Sequence, residues 1–293
     1  MSPGFLHFGQ DNKTEGQDMK INWKERVKAD VKRQLSKKRE YQKNLFIQKY
    51  NKSKVYEFPE ASEIDMNRFF CFPKFCEDYY MSTSSIAIYP VLCLLSDFEN
   101  NNWFQISQKN IAIMAGLTIN TVAKGIKELE EQYLDEEPFL EKQKRTQGTR
   151  HFYVYRVNFI RKNDIEEWRS DYITFHKCIV ESGVWADLKP RAKALYLSMR
   201  MSARFDPELY VEIEDLGLDT DSNEFWELHT DGNYRNRKWD VCYTSIAELC
   251  RKVNISSINL GMVLEQLKNH RLIERVDEHR SIFKVYLKPK IKA

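Results

Sequence analysis

Several features that would assign a protein to a common class are missing from this 293-residue sequence. No apolar run is long enough to cross a bilayer, and the N-terminal residues lack the layout of a signal peptide. The six cysteines are scattered, and Cys71 and Cys76 have no second Cys or His pair beside them to complete a zinc site. We therefore expect a cytoplasmic protein with reduced thiols, no membrane contact and no bound metal.

Motifs of catalytic chemistry are also missing. There is no GxxxxGK[ST] phosphate-binding loop, and the six histidines show neither HxH nor HExxH spacing. Tyr79 and Tyr80 could suggest a DNA-nicking tyrosine, but no histidine cluster lies nearby to hold the metal that such chemistry needs. The carboxylates between Glu212 and Asp221 lack the glycine-anchored order of a calcium loop. We expect a non-enzyme that uses no cofactor.

The small net charge of +3 conceals an uneven distribution. The segment Lys20–Lys54 holds thirteen Lys or Arg against three Asp or Glu, so it carries +10 and the other residues sum to −7. An apolar residue recurs there every four positions, which predicts a helix with one apolar stripe formed by Trp23, Val27, Val31 and Leu35. We expect a disordered tail at 1–19 and a basic helical arm at 20–60, which either contacts nucleic acid or is simply a solvated helix.

The stretch ISQKNIAIMAGLTINTVAKGIKELEEQYL, Ile106–Leu134, predicts two helices joined by a tight turn. The first helical pattern stops at Ala115 and Gly116, and Thr118 begins the second. The apolar helix SSIAIYPVLCLLSDF precedes the stretch, and two β-rich runs flanking KRTQGTR follow it as a hairpin with a basic tip. This order is that of a winged helix, in which the third helix reads the major groove of DNA and the hairpin wing contacts the adjacent backbone or minor groove.

The same order occurs twice in the chain. A shift of 138 positions places the stretch on Thr244–Leu272 without gaps, with Gly116 on Asn254 and Thr118 on Ser256. The pentapeptide FCFPK (70–74) is echoed by ITFHK (173–177), and LIERVDEHRSIFKVYLK forms a second hairpin. The sequence thus predicts an α+β, mostly helical fold with a basic N-terminal helix and two tandem winged-helix domains, each a helix-turn-helix plus a β-hairpin wing, at 61–165 and 166–293.

Candidate DNA contacts follow from this arrangement. Val122, Ile126 and Leu129 are expected to face inward, which leaves a polar outer face near the start of the first recognition helix. The predicted contacts of the first copy are Thr118, Asn120, Thr121, Lys124 and Lys127 on the helix, with Lys144, Arg145, Gln147, Thr149 and Arg150 in the wing. The second copy offers fewer charges and is expected to hold DNA less tightly, through Ser256, Ser257, Asn259, Arg275, His279, Arg280 and Lys284.

The second copy also carries an insertion, at about 205–238, whose first two-thirds are acidic. A long loop in a compact domain is usually functional or a small subdomain. Because acidic side chains will not face phosphates, we expect the insertion to cover another surface or to contact a protein partner.

The run FCFPKFCEDYYMSTSSIAIYPVLCLLSDF, followed by ISQKNIAIMAGLTINTVAKGIKEL, resembles the winged-helix domains of plasmid and phage replication initiators. The second copy, with ITFHK and SGVWADLKPRAKALYL, resembles the same pattern, so the resemblance covers roughly 68–160 and 172–288. The resemblance implies a protein that binds specific sequences of double-stranded DNA at origin repeats and recruits host replication proteins. It is also compatible with a homo-oligomer. A transcriptional regulator and a non-catalytic adaptor in a nucleoprotein assembly are the alternatives.

Overall fold

The computed structural model describes residues 55–73, 81–96, 103–134, 137–158, 172–229, 237–276 and 282–290. The chain divides into the units Met1–Lys52 and Ser53–Ala293, and all described residues belong to the second unit. The predicted tail, most of the predicted arm and the predicted domain boundary at residue 165 lie outside the described residues. At the end of the arm, residues 55–60 are not helical, and the backbone N–H of Tyr56 donates to Asn110 Oδ1 at 3.0 Å.

The described elements form an α+β fold, as predicted, with two repeats. The first repeat starts with a 3₁₀ turn at Ala61–Glu63. Its α-helices are α1 (Thr83–Leu95), α2 (Gln108–Ala115) and α3 (Ile119–Glu131). Its strands are β1 (Phe69–Pro73), β2 (Phe104–Gln105), β3 (Tyr133–Leu134), β4 (Glu137–Pro138), β5 (Leu140–Gln147) and β6 (Arg150–Val157).

The second repeat follows the same order with additions. Its helices are α4 (Cys178–Glu181), α5 (Val184–Asp187), α6 (Pro190–Ser202), α7 (Pro207–Glu214), α8 (Asn223–His229), α9 (Ile246–Lys252) and α10 (Ser257–Asn269). Its strands are β7 (Tyr172–His176), β8 (Trp239–Cys242), β9 (Ile273–Arg275) and β10 (Phe283–Tyr286). The sheet orders β2–β6–β5 and β8–β10–β9 match, and α10 begins and ends 138 residues after α3. Among the described helices, none is long and apolar enough to cross a membrane.

The turn that joins α2 to α3 has the same backbone chemistry as the turn that joins α9 to α10. Gly116 and Asn254 are left-handed, with φ of 61° and 51°. The N–H of the following residue then reaches back to the first helix, from Leu117 to Ala112 O and from Ile255 to Cys250 O, each at 2.9 Å. These bonds satisfy carbonyls that a helix end leaves open, which explains why Gly and Asn occupy equivalent positions.

The two repeats join through equivalent surfaces. Strand β1 pairs antiparallel with β7, and the equivalent residues Cys71 and Thr174 are paired with each other. On either side of this pair, Phe70 faces Phe175 and Phe72 faces Ile173, as a local two-fold axis requires. Helix α1 likewise packs against its counterpart α6. The repeats therefore share one core.

Trp185 of α5 anchors the second repeat in the first. Its side chain is fully buried, and its Nε1–H donates to the carbonyl of Ala87 within α1 at 2.8 Å. Its ring meets that of Phe175 edge-on, with centroids 5.5 Å apart. The neighbouring carbonyl of Ala186 lies so close to the α2–α3 turn that a Cβ on Gly116 would be 1.8 Å from it.

The insertion in the second repeat includes two short helices, α7 and α8, that follow α6. Tyr210 of α7 packs on Trp239 with ring centroids 4.6 Å apart, and Trp239 Nε1–H donates to Glu214 Oε1 at 2.7 Å. Glu214 also binds Lys238, and this ion pair and hydrogen bond lower the pKa of Glu214 against the opposing effect of its burial. The first part of the insertion is thus a small subdomain attached to its own sheet.

A buried ion pair ties α6 to two strands of the second repeat. Arg200 Nη1 donates to Asp240 Oδ2 at 2.8 Å, and Arg200 Nη2 donates to the carbonyl of Thr174 at 3.2 Å. Because both charged groups are buried and bonded, they fix the position of β7 and β8 on the helix rather than adding much net stability.

We expect Gly116→Ala to destabilise the protein far more than Gly148→Ala. Both glycines have φ near +60°, but a Cβ on Gly148 would meet nothing within 4 Å, whereas one on Gly116 would collide with the backbone of Ala186. Conformational strain alone costs about 1 kcal/mol at Gly148, and the collision should raise the loss at Gly116 to roughly 3 kcal/mol or more. Urea denaturation of both variants measures the difference, and equal losses would contradict the close approach.

Candidate nucleic-acid interface

Helix α3 has one fully buried face and one exposed polar face. Val122, Ile126 and Leu129 have no exposed surface, as their spacing predicts. The opposite face exposes Asn120, Lys124 and Lys127, together with Ile119 and Ala123. Lys127 Nζ lies 3.5 Å from Glu131 Oε1, but both side chains are largely exposed, so this pair is weak. The exposed face carries two ammonium groups and one amide that can reach a ligand.

Thr118 and Thr121 serve the start of α3. Thr118 Oγ1 accepts from the backbone N–H of Thr121 at 3.2 Å and lies 2.8 Å from the Thr121 hydroxyl oxygen. These bonds satisfy an N–H that the first helical turn would otherwise leave open. Thr118 and Thr121 therefore have a structural role at the start of α3, and any contact that they make with a ligand is in addition to it.

Glu128 holds α3 against the start of α1. Its carboxylate accepts from the Ser82 backbone N–H at 2.5 Å and from the hydroxyls of Ser82 and Ser85 at 2.5 and 2.7 Å. A carboxylate is favoured at this place because α1 begins at Thr83, where the helix dipole is positive. At Gly125, an added Cβ would be 2.5 Å from Ile88 Cδ1, so the two helices approach closely beside this network.

Strands β5 and β6 form the predicted hairpin with a basic end. They pair from Leu140 with Val157 to Gln147 with Arg150, and Gly148 and Thr149 make the two-residue turn. Gly148 has φ of 60°, as a type II′ turn requires at its first central residue. The side chains of Lys144, Arg145 and Thr149 are exposed, while those of Gln147 and Arg150 are outside the described part of the chain.

Aromatic residues that the sequence interpretation missed support the hairpin. The guanidinium carbons of Arg145 and Arg156 lie 5.9 and 5.2 Å from the centre of the Trp103 ring, and Lys142 Nζ lies 4.8 Å from that of Tyr153. Tyr155 is fully buried under the same sheet, and burial raises its pKa to about 12, so its hydroxyl stays neutral. No local pattern marked Trp103, because its partners are more than forty residues away.

The second repeat presents a different outer face on α10. The positions equivalent to Asn120, Lys124 and Lys127 hold Ile258, Met262 and Glu265. Ile258 is 88% exposed and Met262 is 59% exposed, so two of these three positions are apolar, the third is an exposed carboxylate, and none is a cation. Of the predicted contacts on this helix, Ser256 is exposed, Asn259 donates from Nδ2 to Ser256 Oγ at 2.9 Å, and the Ser257 side chain is outside the described residues.

The second hairpin also differs from the first. Lys284 is only 8% exposed, with its Nζ 5.0 Å from the centre of the Trp239 ring and 3.8 Å from Glu274 Oε1. This location gives Lys284 a packing role, so the prediction that it contacts DNA on the surface of the hairpin is wrong. Arg275 is exposed, and His279 and Arg280 lie outside the described residues.

The described part of the chain contains no group of three or more His, Cys, Asp or Glu side chains that could hold a metal ion.

Comparison of the chain with protein-family models, curated proteins and solved structures finds no match. The candidate interface therefore depends on its own geometry: an exposed polar helix face, held by the hydrogen bonds of the partly buried Glu128 carboxylate, in the same repeat as a basic hairpin.

We expect Glu128→Ala to lower the free energy of unfolding by about 2 kcal/mol, because it removes charge-assisted hydrogen bonds from two serines. Glu131→Ala is the matched control. Its carboxylate is on the same helix, and among the described residues it pairs with Lys127 alone, in an exposed ion pair, so its loss should stay within about 0.5 kcal/mol. Thermal or urea denaturation compares the two, and a Glu128 effect as small as that of Glu131 would show that the network does not hold α3.

Proposed function

We propose that the protein binds double-stranded DNA through its first repeat, a winged-helix module in which α3 enters the major groove and the β5–β6 hairpin contacts the backbone beside it. The observation that carries this proposal is the pair of exposed cations on α3, Lys124 and Lys127, next to Asn120. The hairpin of the same repeat adds the exposed cations Lys144 and Arg145.

The chemistry of these residues suits DNA. An asparagine can bond to both the N6 and N7 positions of adenine, and lysines can bond to guanine or to phosphates. The start of α3 adds backbone N–H groups and a positive helix dipole that attract phosphate oxygens. A helix fits the wide major groove of B-DNA and not the narrow groove of A-form RNA, which favours duplex DNA as the ligand.

At the level of biology, we propose that the protein initiates replication of a plasmid, phage or other mobile element by binding origin repeats and recruiting host proteins. Support comes from the two repeats and from the resemblance described above. Transcriptional regulation is the alternative, and the sites separate the two: repeated sites beside an origin favour initiation, and a single promoter site favours regulation. The apolar face of α10 supports a third role, in which the second repeat docks a protein.

The test of this proposal is to replace both cations of α3. Lys124→Gln with Lys127→Gln should weaken binding to a fragment selected from random duplex DNA, at ~150 mM salt, by roughly tenfold, because two phosphate or base contacts are lost. Lys189→Gln with Arg191→Gln is the matched control, since both residues are exposed cations at the start of α6. Fluorescence anisotropy measures the affinities. Equal affinities for the two double variants would refute DNA binding by α3 and favour the adaptor role.

The hairpin is tested separately by the salt dependence of binding. Each phosphate contact contributes about 0.9 to the slope of log K against log salt concentration, so Lys144→Ala with Arg145→Ala should lower that slope by about 2. The same titration of the unchanged protein supplies the reference. An unchanged slope would show that the hairpin is not in contact with the DNA backbone.

A further inference from the structure

A basic cleft lies at the end of α10, on the side of the second repeat where β9 begins and β10 ends. It has a volume of about 980 Å³, and seven of its eleven lining residues are Lys or Arg. Glu274 is the single acidic residue among them. This carboxylate is already occupied, because it accepts from the Tyr286 hydroxyl at 2.5 Å and lies 3.8 Å from Lys284 Nζ.

The cations of the cleft fall into two groups. Three of them serve the fold: Arg237 lies 3.8 Å from Asp240, Lys238 binds Glu214, and Lys288 donates to Asn67 Oδ1 at 2.9 Å. The other four are exposed and have no ion pair with any described residue: Lys268, Arg271, Arg275 and Lys290. We call these four residues the basic cleft.

The first repeat does not share this charge, so the fold does not require it. Lys268 is equivalent to Glu130, which lies 3.5 Å from Lys142 in the first repeat, and Arg271 is equivalent to Tyr133. Arg271 has φ of 53°, a left-handed conformation that glycine or asparagine adopts with less strain. The helix dipole favours cations at the end of any helix, yet the first repeat has Glu130 and Tyr133 at the equivalent positions, so the dipole alone does not explain the pair Lys268 and Arg271.

The basic cleft is distinct from the outer face of α10. Lys268 is twelve residues beyond Ser256, so about 18 Å of helix separates the cleft from the end of α10 that corresponds to the DNA-reading end of α3. That outer face is apolar at Ile258 and Met262. The four cations of the basic cleft thus lie on a different surface of their repeat from that of Lys124 and Lys127 in the first repeat.

We infer that the basic cleft binds the phosphate backbone of duplex DNA and is the means by which the second repeat holds DNA. Several separate cations around one cleft suit a row of phosphates better than a single small anion, and Lys and Arg are the residues that supply such contacts. The inference rests on the proposed function, because it assigns the same duplex a second contact beyond the one made by α3 and its hairpin.

The experiment compares three double variants of the full-length chain. Lys268→Gln with Arg271→Gln removes two charges of the basic cleft and adds no new backbone strain, since glutamine keeps the Cβ of arginine. Lys124→Gln with Lys127→Gln changes the α3 surface, and Lys189→Gln with Arg191→Gln is the control in the second repeat. Each is titrated with the same selected duplex across a range of salt concentrations, and circular dichroism melting verifies that each is folded.

The cleft variant should lower the slope of log K against log salt by about 2, and its effect should add to that of the α3 variant because the two pairs of cations share no partner and neither lysine of α3 lines the cleft. Hydroxyl-radical footprinting of the cleft variant should show a protected stretch of DNA that is shorter, at one end only, than the stretch protected by the unchanged protein. A purely structural role would not shorten the footprint.

The other outcomes are distinct. If the cleft variant keeps the slope and footprint while the α3 variant weakens binding, the inference is overturned and the proposed function stands. If only the cleft variant weakens binding, the cleft holds the DNA and the proposed role of α3 fails. If the unchanged protein does not bind duplex DNA, both fail. If the cleft variant instead loses self-association in sedimentation with its DNA slope unchanged, the cleft binds an acidic protein surface and the inference is overturned.

Discussion

The pairing of β1 with β7 is the constraint on which the rest of the structure depends. Equivalent residues of the two repeats meet at its centre, and the equivalent helices α1 and α6 pack beside it. Such an isologous contact is the geometry of a symmetric dimer, here made within one chain. The pairing determines where Trp185 bonds to α1 and where Ala186 contacts the α2–α3 turn. Because Glu128 bonds α3 to the start of α1, the pairing also influences where α3 lies. The position of the candidate interface is therefore a consequence of how the repeats join.

The two repeats keep the same turns and have different surfaces, for a physical reason. A left-handed residue must end α2 and α9, and a buried aliphatic face must cover the core, so Gly116 and Asn254 or Leu129 and Leu267 hold equivalent places. Exposed positions are not constrained in this way, since substitutions there change stability little. Asn120 and Lys124 in one repeat thus correspond to Ile258 and Met262 in the other. Function can diverge on these faces while the backbone stays the same.

Much of the first repeat could be predicted from its sequence. The bounds of α2 and α3, the buried Val122, Ile126 and Leu129, and the paired strands around Gly148 agree with their local patterns.

The placement of other residues could not be predicted. Lys284 belongs to a basic hairpin in the sequence, yet packing over Trp239 buries it. The sequence marks Gly116 as a helix end, but a Cβ added there would also collide with the carbonyl of Ala186 in the other repeat. The acidic composition of the insertion predicts that it covers another surface or contacts a partner, and Glu214 and Tyr210 attach its first helix to the adjacent sheet.

By itself, the sequence determined the local structure around the α2–α3 turn and its counterpart: where α2 ends and α3 starts, which residue turns left-handed, and which side chains of α3 are buried. These features depend on contacts between residues a few positions apart, which periodicity and capping chemistry report directly. Only the tertiary structure decided that the repeats share one core and that Lys268, Arg271 and Lys290 line one cleft. Such convergence depends on how separate elements pack, and no local pattern of charge encodes it.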